Sequence, residues 1–247
     1  MVRRLPNTRP SNRVSPRMTI RALALTVALS GLAIVPALGQ GIVVDEGGFQ
    51  ISIDGRPVGN ETFVIRRAAS GREDQVFASG VVTLDTPDGR QEVRPLLSAT
   101  PPDGVAASYQ VRVTGPGSLE VRLNRDGRRY LARITSEIGS EDREFPARPD
   151  TRVLEHGVAH HYYVLRDLRV GDEFHVLEPR TRRELTLMTV GRTDVEVRIG
   201  SNVVEARRIE LADGEDHRLV WFDRQGRVLR VEVPADRYAA ERTDVVG

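Results

Sequence analysis

Tyr109-Gln110-Val111-Arg112-Val113-Thr114, followed past Gly115-Pro116-Gly117 by Leu119-Glu120-Val121-Arg122-Leu123-Asn124 and then Asp126-Gly127, alternates apolar and polar side chains on both sides of a turn. A period of two places Tyr109, Val111 and Val113 on one face of a strand and Gln110, Arg112 and Thr114 on the other. The same pattern recurs in Phe49-Ile51-Ile53, Val195-Val197-Ile199 and Leu229-Val231-Val233, each interleaved with polar residues. Strands with one wet face belong to an antiparallel sheet, because a parallel sheet is buried on both sides. Asp54-Gly55, Asp88-Gly89, Asp126-Gly127, Asp213-Gly214 and Gln225-Gly226 fall between strand-like runs, where hairpin turns require positive φ. The spacing predicts a mainly β, antiparallel fold of roughly ten to twelve strands.

Two stretches depart from this pattern. Val158, Tyr162, Leu165 and Leu168 sit at helical spacing, which predicts one short helix over about residues 158–168, packed on the sheet or across a barrel mouth. Leu219-Val220-Trp221-Phe222 is apolar on both faces, so that strand is covered twice. One cover is the core, and the other is the helix, a neighbouring subunit or a ligand. For a ligand, Leu219 and Trp221 would line the site, with the amphipathic Tyr162 and Tyr163 at its edge.

Composition removes several chemistries. The chain has no cysteine, and all 36 of its basic residues are arginine. Disulfides, thiolate nucleophiles, iron–sulfur clusters and Cys-ligated zinc are excluded, as are a P-loop lysine and a Schiff base. No cofactor is implied. The elbow Gly-x-Ser-x-Gly is absent, and so is His-Glu-x-x-His. Glu155, His156, His160 and His161 form the densest group of possible ligands, and on a helix His156 and His160 would share a face. Gly157 weakens that helix, a third ligand would have to come from His175, His217 or a distant acid, and the plainer reading is a set of polar side chains beside a core-facing Tyr162. No metal site is expected.

The N-terminus reads as a signal for export. Arg3, Arg4, Arg9, Arg13, Arg17 and Arg21 precede an uncharged run from Ala22 to Leu38, and Ala37 and Gly39 suit a signal-peptidase site that leaves Gln40 first. Met18 is an alternative start to Met1. Uncleaved, the uncharged stretch to Val44 is long enough to span a bilayer, and this would be the only membrane contact. Residues 1–39 are thus a signal peptide, 40–235 a single β-rich domain and 236–247 a C-terminal tail, in a periplasmic or secreted protein. Removing the six signal arginines leaves 30 basic residues against 35 acids, near −5. That balance, without a basic stripe bearing aromatics, gives no basis for nucleic-acid binding.

Three segments carry a resemblance. Gly48-Phe49-Gln50-Ile51-Ser52-Ile53-Asp54-Gly55-Arg56-Pro57-Val58-Gly59 resembles the opening hairpin of a family of uncharacterised secreted bacterial proteins. Tyr162-Tyr163-Val164-Leu165 through Val170-Gly171-Asp172 resembles their central helix and return strand, and Trp221 through Val228 their closing hairpin. That family is similar in architecture to periplasmic lipoprotein carriers of the Lol type. The resemblance implies a curved antiparallel sheet or open half-barrel that holds an apolar or envelope-derived ligand under a helical lid, with no catalytic residues. This chain departs from the carriers in having little helix. Three functions follow as expectations: non-enzymatic binding of a lipid or other apolar ligand, assembly of the envelope through a protein partner, and hydrolysis in the His156/His160 region. A concave apolar face left unfilled marks the first, an uncovered sheet edge the second, and convergence of histidines and an acid the third.

Overall fold

A computed structural model of the chain describes residues 41–70, 73–102, 104–214 and 216–244. The expected signal segment, 1–39, lies outside the described residues. The alternating sequence becomes a meander: β1 (Ile42–Ile53), β2 (Arg56–Ser70), β3 (Glu73–Thr86), β4 (Gly89–Thr100), β5 (Val105–Thr114), β6 (Leu119–Asp126), β7 (Arg129–Ser136) and β8 (Gly139–Pro146) pair in succession. Next come β9 (Arg152–Val153) and a crossing segment, then β10 (Glu173–Glu178), β11 (Arg183–Ile199), β12 (Asn202–Asp213), β13 (Asp216–Phe222), β14 (Val228–Val233) and β15 (Tyr238–Arg242). β15 pairs back onto β1, with Phe49 opposite Arg242 and Ile53 opposite Tyr238. One open, curved sheet results, ordered from β8 to β1 and then from β15 to β9, antiparallel except where β9 meets β10.

The sheet has fifteen strands, more than the ten to twelve expected. The excess is made of strands without an apolar stripe. β8 is an edge strand, exposed along most of its length, and its charged sequence reads as linker. β9 has only two residues. β15 lies inside the stretch 236–247 that reads as a tail, yet it is an interior strand whose Tyr238 and Ala240 are buried between β1 and β14.

Side-chain alternation sets the two faces. Tyr109, Val111 and Val113 are buried while Gln110, Arg112 and Thr114 are exposed, and β7 repeats this with Tyr130, Ala132 and Ile134. Each buried aliphatic or aromatic side chain contributes about 1.5–3 kcal/mol by leaving water, so this row specifies the inner face. At the β1–β2 turn Asp54 and Gly55 both have positive φ, 54° and 72°, as a two-residue hairpin requires.

The crossing segment fills the concave side. Its helix is a 3-10 turn, Ala159–Leu165, shorter than the expected 158–168, and every residue in it is buried. Helical spacing is legible there because Val158, Tyr162, Leu165 and Leu168 all enter the main core. The fit is close: a Cβ placed on Gly104 would stand 2.7 Å from that of Val164.

A second layer lies on the opposite face. β12 pairs with β13 only from Arg207 to Asp213, so the far half of the β11–β12 hairpin overshoots its neighbour. A register shift between Thr189 and Gly191 bends the hairpin. Val197, Ile199 and Ala206 then bury Trp221 and Leu229 in an apolar cluster separate from the main core. At the tip the Gly200 N–H donates to the Glu241 carboxylate at 3.0 Å.

Candidate functional site

Polar groups converge where the crossing segment meets the inner wall. Glu61 occupies an inward position of β2, in line with Phe63 and Ile65, and its side chain is wholly buried. It accepts hydrogen bonds from the Ala159 N–H at 2.8 Å, the His160 N–H at 2.9 Å and the His160 Nδ1 at 2.5 Å. The carboxylate thereby caps the orphan donors at the start of the 3-10 turn. The His160 ring stacks on Phe63, with centroids 5.5 Å apart and planes 2° from parallel.

His161 points into a different set of partners. Its Nδ1 accepts from the Glu155 N–H at 3.2 Å, which leaves the ring proton on Nε2. Burial, then the neighbouring His160 and Arg180, hold its pKa well below the ordinary histidine value. The Glu155 carboxylate accepts from the Tyr109 hydroxyl at 3.1 Å and from Arg180 Nε at 3.3 Å. Burial raises the Glu155 pKa against the opposing pull of Arg180 and Tyr109, and burial together with Glu155 pushes the Tyr109 phenol well up. Further along, Arg218 donates to the Tyr162 hydroxyl at 3.2 Å and to Glu178 at 2.8 Å. Burial works against the Arg218 charge, but Tyr162 and Glu178 outweigh it and raise its pKa.

The segment is therefore held by charge-assisted bonds to β2, to the β10–β11 turn and to β13. Removing one partner from such buried pairs leaves an uncompensated charge, which makes the contacts intolerant of change. Chemically they are fasteners. Histidines and an acid do converge, but the acid is Glu61 and the histidine is His160, while His156 lies outside the 3-10 turn, part-exposed, with its Nδ1 3.3 Å from Asp236. His175 and His217 sit elsewhere, against Glu184 and Glu210, each at 3.1 Å. Among the described residues no group of three or more His, Asp or Glu side chains is disposed to hold a metal ion.

The four residues expected to line a ligand site fall on two sides of the sheet. Tyr162 and Tyr163 are buried in the main core, with the Arg166 guanidinium 4.2 Å from the Tyr163 ring centroid. Trp221 and the half-buried Leu219 belong to the outer cluster. The alternation of β13 separates them: Val220 and Phe222 face the crossing segment, whereas Leu219 and Trp221 face the overshooting hairpin. Of the covers expected for this strand, the core is correct. The outer one is a hairpin that sequence reasoning missed, although the alternation Val195-Val197-Ile199 was its signal.

Glu61 was missed as well. Its only sequence signal is an acid in an apolar strand position, and its partners lie about a hundred residues away. No family model matches the sequence, and no curated protein matches it. Among solved structures, the chain is similar to a beta-barrel-like protein of the domain of unknown function DUF1849 from Brucella abortus, with 8% sequence identity and a TM-score of 0.43. The match covers 80% of this chain and 95% of that one. A likeness at that level speaks to neither activity nor ligand.

Proposed function

We propose that this is an exported, non-enzymatic envelope protein that acts by binding a protein partner on its outer surface. One observation carries the reading: the concave side of the sheet is occupied by the chain's own residues from Val158 to Leu168, fastened there by the Glu61 carboxylate, the Glu155 N–H and Arg218. A carrier of acyl chains needs that face open. A hydrolase needs its histidine beside a nucleophile and within reach of substrate, and His160 and His161 are at most 1% exposed. The outer face is broad, charged and furnished with clefts, such as one of about 540 Å³ between Asp194, Glu196, Glu205 and Arg224. Export rests on the arginines and uncharged run before Gln40.

Native mass spectrometry of the protein taken from its own envelope tests all three readings. The expected spectrum shows a chain beginning near Gln40, alone and in complex with a discrete polypeptide. A stoichiometric lipid adduct would restore the carrier. One equivalent of zinc, lost when His156 and His160 are both changed to Ala, would restore the hydrolase.

A further inference from the structure

The outer face of β4 to β7 carries arginines in an arrangement that the fold itself does not require. Arg94 stands directly opposite Arg112 across β4 and β5, and Arg122 directly opposite Arg133 across β6 and β7. Like charges facing each other across a ladder destabilise it. All four side chains are more than half exposed. Three carboxylates lie among them: Glu92 on Arg94, Asp142 on Arg133, and Glu120 shared by Arg112 and Arg122. Burial works against the Glu120 charge, but the shared pair of arginines together outweighs it and holds its pKa down. Four guanidinium groups thus meet three acids along a strip crossing adjacent strands about 4.8 Å apart.

The strip already shows which ligand suits it. Arg133 grips Asp142 through Nε at 2.8 Å and Nη2 at 2.9 Å, the paired geometry of a guanidinium fork on a carboxylate. Beside Arg122 and Arg133 opens a cleft of about 530 Å³ that also takes in Asn124, the part-exposed Leu131, Arg143 and the acids Asp142 and Glu144. The cleft runs to β8, whose far edge has no neighbouring strand among the described residues. Cations in excess, a small apolar floor and an adjacent free edge fit an extended chain bearing alternate carboxylates and apolar side chains.

We infer that this strip binds an acidic, extended segment of a partner protein, with its carboxylates on Arg94, Arg112, Arg122 and Arg133 and an apolar side chain over Leu131. The inference rests on the outer-surface reading above and gives that surface a place and a chemistry. Long-range attraction is not its basis, since the mature chain is acidic overall; recognition is local and sensitive to salt.

The probe is a fluorescein-labelled Glu-Leu-Glu-Leu-Glu peptide followed by anisotropy at low and at physiological salt, with the Lys-Leu counterpart as control. The intact mature protein should bind the acidic peptide saturably, and R122Q/R133Q should weaken it by about tenfold or more with an unchanged melting temperature, since exposed pairs add little stability. R67Q/R224Q, which removes exposed arginines elsewhere, should bind as the parent does. Equal affinity in all three proteins, no binding by the parent, or a preference for phosphatidylglycerol vesicles over the peptide would overturn the inference. An envelope complex that survives R122Q/R133Q in native mass spectrometry would also overturn it while leaving the outer-surface reading intact. Absence of any such complex from the unaltered protein would remove that reading itself.

Discussion

The two faces of β13 are both apolar and both covered, yet the covers are fastened in opposite ways. On the inner side Val220 and Phe222 lie in the core that the crossing segment completes, and that segment is tied by buried charged groups: the Glu61 carboxylate on the Ala159 and His160 N–H groups, Arg180 on Glu155, and Arg218 on the Tyr162 hydroxyl. On the outer side Leu219 and Trp221 lie beneath the β11–β12 hairpin, which is held by aliphatic contact and by the bond from the Gly200 N–H to Glu241 at its tip. Apolar contact is non-directional, so a cover made of it tolerates small shifts. Buried ions have directions, and they fix one register of the segment against the wall. The difference teaches where this chain spends specificity: inside, on a piece of itself.

Breaking the inner fastening should have the largest effect. Glu61→Ala leaves two backbone donors and His160 without their acceptor in the core and should cost about 3–5 kcal/mol. For a domain of this size that lowers the melting temperature by roughly 10 °C or more. A loss below about 1 kcal/mol would mean that the inner cover is as tolerant as the outer one. Trp221→Ala should cost somewhat less, about 3 kcal/mol, because its cluster is small and partly open. The two covers can be told apart in that variant by hydrogen exchange. The amides of Ala159 and His160 should stay protected while those of Val197 and Ile199 exchange faster, and equal loosening of both would erase the distinction.

The third and smallest effect is a pH dependence confined to the inner side. His161 has a folded pKa below its unfolded value of about 6.5, so between the two the unfolded chain binds more protons. Stability is then full above about pH 6.5 and falls as pH drops toward the folded value, by at most about 1.4 kcal/mol per pH unit. His161→Asn keeps an acceptor for the Glu155 N–H and should flatten that slope in denaturant titrations between pH 6.5 and 5. Glu155 works in the opposite sense. Its folded pKa is raised, so it costs stability above that value and the cost is relieved as acid protonates it. An unchanged slope in His161→Asn would show that the buried imidazole does not govern the inner fastening.

The sequence made the half-buried strands legible because their physics is local. β5, β6 and β14 each carry an apolar stripe that is buried as its period demands, and in β1 Phe49 and Ile51 do so while Ile53 at the turn is exposed. β8 and β15 were illegible for opposite reasons. An edge strand such as β8 buries almost nothing and so displays charge on both faces, which also protects it from casual pairing. In β15 Tyr238 and Ala240 are buried between β1 and β14, but Tyr238-Ala239-Ala240 shows no alternation of apolar and polar residues that would mark it as a strand. Around the candidate site, the doubled apolarity of Leu219–Phe222 and the cluster at Glu155–His161 were visible. What each of them touches was not, because Glu61, Arg218 and the β11–β12 hairpin arrive through pairings that no short window contains.

The meeting of β1 with β15 bears on how the molecule is built. Nearly every other pairing joins consecutive strands through a short turn, and such contacts form early because little chain has to be gathered to make them. The bond between first strand and last gathers almost the whole domain. Without Tyr238–Arg242 the strand order would divide into two stacks of hairpins, one from β1 outward and one from β14 outward. Assembly should then end in a single late zipping step down the middle of the sheet, with the opening strand waiting on the closing one.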